Sequence, residues 1–91
     1  MIKSFRHKGL AELFERRQTA RVRQDLQARC LRRLDALDAA EVLDDLLVPG
    51  FDLHALAGRP RRHTIHVNGH FCITFEWVDG HAWRVDLENY H

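Results

Sequence analysis

Between Thr64 and His91 three runs of residues alternate apolar and polar side chains, interrupted by Asn68-Gly69 and by Asp79-Gly80. Few short patterns restrict a fold as tightly. Period-2 alternation places one set of side chains on each face of a pleated strand, and Asn-Gly or Asp-Gly supplies the left-handed residues of a tight hairpin. The stretch therefore predicts a three-stranded antiparallel meander with one apolar face. That face needs a cover, and the preceding sixty residues are largely helical in pattern.

Ile2–Phe5 alternates and predicts a short strand, stable only if it joins the later sheet. Leu10, Leu13 and Phe14 recur at helical spacing and predict a first helix from His7 to about Phe14. Val22, Leu26, Cys30, Leu34 and Leu37 extend the same period, predicting an amphipathic helix of about five turns over Ala20–Leu37 with Thr19 as its N-cap. A short polar link between the two implies an antiparallel helical hairpin. Asp38 with Glu41 resembles a capping box for a turn ending near Leu46, which Pro49-Gly50 closes. Phe51, Leu53 and Leu56 belong to a connector that tucks onto the core. Gly58–Arg62 reads as a basic loop.

The strand register follows from requiring apolar residues to share a face. A three-residue Val78-Asp79-Gly80 loop sets Trp77 opposite His81, Phe75 opposite Trp83 and Ile73 opposite Val85. The expected buried face is then Ile65, Val67, Phe71, Ile73, Phe75, Trp83 and Val85. Thr64, His66, Cys72, Thr74, Glu76, Arg84 and Asp86 fall on the opposite, polar face, which is expected to stay open and to carry the chemistry.

Ninety-one residues, 45% hydrophobic and 30% charged, predict one domain over 1–91. No apolar run approaches the roughly 20 residues of a membrane span, and the start lacks a secretory signal, so a cytoplasmic protein is expected. Cys30 and Cys72 share no motif spacing and are expected as free thiols. The net charge of +1 conceals a division: residues 1–37 carry ten Lys/Arg against four acids, and residues 38–58 carry five acids with no Lys/Arg. A basic region on a near-neutral chain suits nucleic acid or an acidic partner, and equally an ordinary solvated helix face.

Seven histidines fall into no metal-ligand spacing, and neither a phosphate loop nor a nucleophile elbow occurs; no metal or cofactor is expected. What remains is the polar sheet face, a basic loop carrying Arg59, Arg61 and Arg62, and a terminal Tyr90-His91 pair. These side chains suit RNA cleavage. Histidine moves protons near neutral pH, arginine stabilises phosphorane charge, and an aromatic ring stacks on an unpaired base.

Particular strings resemble a known family. Ile2-Lys3-Ser4-Phe5 with Lys8-Gly9-Leu10, and Leu34-Asp35-Ala36-Leu37-Asp38, begin the likeness. Pro49-Gly50-Phe51, Leu53-His54-Ala55-Leu56 with Gly58, and Val67-Asn68-Gly69 continue it, followed by Ile73-Thr74-Phe75, Asp79-Gly80 with Ala82, and the ending Glu88-Asn89-Tyr90-His91. In this order they resemble the RelE superfamily of toxins, in its HigB branch, across essentially the whole chain. The resemblance implies an α+β fold in which a short N-terminal strand and three C-terminal strands form an antiparallel-rich sheet packed on an N-terminal helical hairpin. It implies the toxin of a type II toxin–antitoxin pair, cutting mRNA on the ribosome without a metal. It also implies a HigA-like helix-turn-helix antitoxin as partner, through which alone the toxin reaches operator DNA.

Residue by residue, His91, Tyr90 and His54 match the family's catalytic positions. Arg59, Arg61, Arg62, Arg84 and His66 are the expected RNA- and phosphate-binding side chains. The pattern departs at Ala57, where the family commonly has Lys, and at Cys72, where it commonly has Arg. Another Arg is frequent where Glu76 stands, and Asn89 replaces an acid. These departures leave a second reading: a binding module that keeps the fold and the antitoxin contact, serves in operon autoregulation, and has lost cleavage.

Overall fold

A computed structural model describes residues 1–90. Two helices, α1 (Lys8–Arg16) and α2 (Gln27–Ala39), are followed by four strands: β1 (His54–Ala55), β2 (His63–Asn68), β3 (Phe71–Val78) and β4 (His81–Asn89). The strands pair antiparallel in the order β1-β2-β3-β4. The fold is α+β, as the patterning predicts. The N-terminal segment meets the sheet as two isolated parallel bridges, Ile2 to Ala82 and Phe5 to Val85. The fourth strand comes from the connector, where His54 pairs with Thr64.

Helix α1 is fixed at both ends by its own sequence. His7 Nδ1 accepts the Leu10 amide at 3.1 Å, and Arg17 adopts a left-handed φ of 64° so that its N–H reaches the Leu13 carbonyl. Helix α2 begins seven residues later than the apolar period predicts. The Gln27 side-chain amide donates to the Thr19 and Val22 carbonyls at 2.8 and 2.9 Å, holding 19–22 in an irregular segment. A 3-10 turn over Gln24–Leu26 then leads into the helix. Thr19 is therefore no N-cap: its hydroxyl donates to Glu12 and accepts the Arg21 amide. Val22 and Leu26 are buried all the same, which is why their spacing mimicked a helical stripe. Gly9 makes this packing possible, since a Cβ there would stand 2.9 Å from Arg21 Cβ and 3.0 Å from its carbonyl oxygen.

The expected box at Asp38 is also displaced. Asp38 accepts the Ile2 amide at 2.9 Å, tying the N-terminus to α2. Asp45 accepts the Glu41 and Val42 amides ahead of a short 3-10 turn, Leu43–Leu46. Those two bonds lower the Asp45 pKa.

The meander turns through Gly69-His70 and Asp79-Gly80. The second turn corrects the expected register. It has two residues, with Asp79 at φ 52° and Gly80 at φ 78°, the left-handed pair that a two-residue hairpin prefers. Val78 faces His81, Trp77 faces Ala82 and Glu76 faces Trp83. A bulge then places Arg84 and Val85 opposite Phe75 before Thr74 pairs with Asp86. Without the bulge a two-residue turn would point Val85 outward; with it, Ala82 and Val85 are both fully buried. Trp83 lies opposite Glu76 and outside the core, contrary to expectation.

The inner face, Ile65, Val67, Ile73, Phe75, Ala82 and Val85, packs against Leu10, Leu13, Leu26, Cys30, Leu34 and Leu37 of the helical layer. Phe51 joins from the connector. Cys30 and Cys72 are free thiols, and burial pushes the Cys30 pKa to about 11. Among the described residues no helix is long and apolar enough to cross a membrane.

Candidate functional site

Pairing fixes which side chains share the outer face. His54, Thr64, Thr74 and Asp86 form one row across the four strands; His66, Cys72 and Glu88 form the next; Glu76 and Trp83 lie on the other side of the first. The face was expected to be open. Its centre is not: Thr64, Thr74 and Glu76 are all buried.

Arg62 closes that centre. It enters from the loop before β2 and crosses two strands. One terminal nitrogen donates to Glu76 Oε2 at 3.2 Å, and the other donates to Thr74 Oγ1 and to the Arg84 carbonyl, both at 2.9 Å. Arg84 approaches from the opposite side and donates to Glu76 Oε1 at 3.0 Å. It occupies the bulge with φ 50°, and its amide donates to Ser4 Oγ. The N-terminal segment thus holds the residue that aims this guanidinium. One carboxylate sits between two guanidinium groups, buried on the Arg62 side and exposed on the Arg84 side.

The network continues to the C-terminus. Thr74 Oγ1 donates to Glu88 Oε2 at 2.5 Å, and the Tyr90 hydroxyl donates to the same oxygen at 3.2 Å. Tyr90 is otherwise exposed, with its amide anchored on the His70 carbonyl. Its pKa is raised, first by desolvation and then by the charge and hydrogen bond of Glu88, with Arg62 opposing. The phenol therefore stays protonated at neutral pH. It can donate a hydrogen bond or stack; it is a poor base.

Of the expected site residues, Tyr90, Arg62 and Arg84 are joined in one network. His54 is exposed on the edge strand of the same face, its Nδ1 2.9 Å from the Asp52 carbonyl. The His66 ring turns to the Gly69 carbonyl at 2.9 Å, outside the network. Arg59 and Arg61 occupy the exposed 58–61 loop. His91 lies outside the described residues. Among the described residues no three His, Cys, Asp or Glu side chains come together as a metal site requires.

Three participants escaped the sequence reading. Glu88 carried no role, though its two-residue offset from Tyr90 was a usable signal. Thr74 was placed correctly but not as a relay. Trp83 was assigned to the core by the wrong register. It is partly exposed on the outer face, and its indole N–H is buried without a hydrogen-bond partner.

Comparison with known proteins places the chain in a family. A family model described as the RelE-like toxin of type II toxin–antitoxin system HigB matches residues 3–91. An Endoribonuclease HigB from Proteus vulgaris is 39% identical over 92 residues, covering 100% of both chains.

Proposed function

The chain belongs to the RelE-like HigB toxins of type II toxin–antitoxin systems, and from that premise we propose that it is a ribosome-dependent endoribonuclease that cuts mRNA and halts translation. Its whole length acts as one toxin domain in the cytoplasm, held inactive by a HigA-like helix-turn-helix antitoxin. Operator DNA is reached only through that partner.

One observation carries the reading. Tyr90 shares a carboxylate oxygen with Thr74, and Thr74 in turn accepts from Arg62. An aromatic ring and two guanidinium groups are thereby held on one sheet face, the ring belonging to the residue before His91 in the sequence. In RNA cleavage the ribose 2′-oxygen attacks the neighbouring phosphorus, its proton leaves to a base, and the 5′-oxygen departs with a proton from an acid. His91 is assigned one of these proton transfers. Tyr90, held protonated, stacks on or orients the nucleotide. His54 flanks the same face at its edge.

Arg62 and Arg84 neutralise the phosphate. They answer the departures at Ala57 and Cys72, because Arg62 reaches the row beside Cys72 from another part of the sequence. Guanidinium groups suit this task through their forked donors. Trp83 supplies a second aromatic surface, four residues along β3 from the Cys72–Glu88 pair, or about 13 Å. Stacking surfaces with intervening cations are how single strands are commonly held.

The test is induction of the chain alone in growing cells, beside a form lacking His91, with cleavage of ribosome-bound mRNA mapped in both. Arrest and cleavage by the intact chain only are expected. Soluble protein that causes neither overturns the proposal and favours the non-cleaving binding module.

A further inference from the structure

The Arg62–Glu76–Arg84 cluster invites a question that the family relation does not answer: why a buried carboxylate stands where a ribonuclease gathers positive charge. Each Glu76 oxygen takes one guanidinium, Oε2 from Arg62 at 3.2 Å and Oε1 from Arg84 at 3.0 Å. This is the geometry in which two arginines receive two oxygens of a phosphate. A purely structural cluster would be expected to satisfy its own polar atoms. Here Arg62 Nε and Thr64 Oγ1 are buried without hydrogen-bond partners. Arg84 is also only half committed, with 57% of its side chain exposed.

We infer that Glu76 occupies the seat of an RNA backbone phosphate between Arg62 and Arg84, so that substrate must displace a carboxylate already in place. The inference rests on the ribonuclease reading and adds to it a residue that sets affinity. Glu76 pre-orients both guanidinium groups, and it also repels the incoming phosphate and competes for the same donors. Arg84, being exposed, is the first to change partner. Arg62, with only 14% of its side chain exposed and tied to Thr74 and to the Arg84 carbonyl, stays in position as the fixed half of the seat.

Glu76→Gln separates these roles, since the amide keeps an acceptor for one arginine and removes the charge. The full chain and this variant are titrated into fluorescein-labelled oligouridylate over a series of KCl concentrations, with anisotropy as readout. The variant is expected to bind about ten-fold tighter at low salt, with a salt dependence steeper by about 0.7 in log–log slope, the signature of one more neutralised phosphate. Adding Arg84→Gln should abolish the gain. A folded Glu76→Gln protein that binds no tighter overturns the inference.

Cleavage of ribosome-bound mRNA by the unaltered chain is measured alongside. Cleavage without a gain in the variant removes this inference and leaves the ribonuclease reading standing. Neither cleavage nor RNA binding in any form removes both. Should Glu76→Gln fail to fold, the unaltered chain still decides by NMR. Saturating oligouridylate should shift the Nε–H signals of Arg62 and Arg84 together with the Glu76 carboxylate carbon, and an unmoved carboxylate overturns the inference.

Discussion

Two arginines are largely withdrawn from water in this molecule, and they are held in opposite ways. Arg33, on α2, donates to the His66 carbonyl at 2.6 Å and to the Arg29 carbonyl at 3.1 Å, and its guanidinium carbon lies 4.8 Å from the centre of the Phe51 ring. Those partners are backbone atoms and an aromatic face, none of which a solute can easily take over. Burial and the neighbouring Arg32 and Arg29 lower its pKa. Arg62 instead binds a carboxylate and a hydroxyl through side chains and shares one terminal nitrogen with the Arg84 carbonyl, its Nε left unpartnered. Backbone partners tie an element in place; an ion-pair partner can be exchanged for another anion. Arg33 therefore belongs to the scaffold joining α2 to β2, and Arg62 to the candidate site.

The sharpest way to break this distinction is to remove each cation. Arg33→Met keeps the apolar stem and loses two charge-assisted bonds and the ring contact, a cost of about 3 kcal/mol. For a chain of this size that is a fall of roughly 10–20 °C in Tm. Thermal unfolding checks it, and activity per folded molecule should change little. Arg62→Gln should do the reverse. Arg84 still pairs Glu76 and the glutamine can keep one of the lost bonds, so stability falls by about 1–2 kcal/mol, less than for an unpaired buried charge, while the cleavage rate on ribosome-bound mRNA falls about 100-fold, the scale of losing one preorganised donor. Equal effects of both substitutions on Tm would erase the distinction.

Trp83 sharpens the site side of the comparison. Trp83→Ala should weaken oligouridylate binding about ten-fold, the usual worth of one stacked base, and lower Tm by less than Arg33→Met does, because the half-buried indole stands outside the apolar core. An anisotropy titration with a melting curve on the same sample reads both. A large loss of Tm would instead return Trp83 to the scaffold.

Trp83 also shows where the sequence was legible and where it was not. Alternation and turn dipeptides located all three long strands, and periodicity located both helices. The inner face was readable because apolar residues have no stable alternative to it. The bulge at Arg84 was not. It depends on a non-glycine residue in the left-handed region, supported by the Ser4 hydroxyl eighty residues away, and no local pattern announces such a contact. That single shift moved Trp83 from the core to the outer face. The start of α2 was hidden for a similar reason, since Gln27 caps carbonyls of an irregular segment whose apolar residues are buried anyway. At the site, residue types were legible as a set. Which arginines converge was not, because Arg62 reaches Thr74 and Glu76 only once β2 and β3 are paired.

The link from Arg62 to the C-terminus can be followed through one chromophore, because Tyr90 is the only tyrosine in the chain. Its phenolate absorbance should titrate above 10, the ordinary phenol value, for the reasons of desolvation and Glu88 contact given above. Glu88→Gln removes a negative charge and should move the midpoint down. Arg62→Gln removes the opposing positive charge and should move it up. Arg33→Met should leave it in place. A midpoint indifferent to Glu88 and Arg62 would detach Tyr90 from the network.

The smallest effect concerns the residue next to Arg62. Consecutive strand residues point to opposite faces, and His63 lies on the inner side with its ring 5.8 Å from that of Phe75. Desolvation, and secondarily the charge of Arg61, lowers its pKa below the ordinary 6.5. The unfolded chain then binds more protons than the folded one between the two values, so stability rises with pH across that window. The contribution is fully present above 6.5 and is lost as pH falls from there toward the folded pKa. Urea unfolding midpoints measured down through this range should therefore decline, and decline less steeply in His63→Phe, which has no proton to take up. Arg62→Gln should leave the slope essentially unchanged, because His63 responds to the inner face and to Arg61. An identical slope in His63→Phe would assign the decline to other histidines and remove His63 from the inner face's electrostatics.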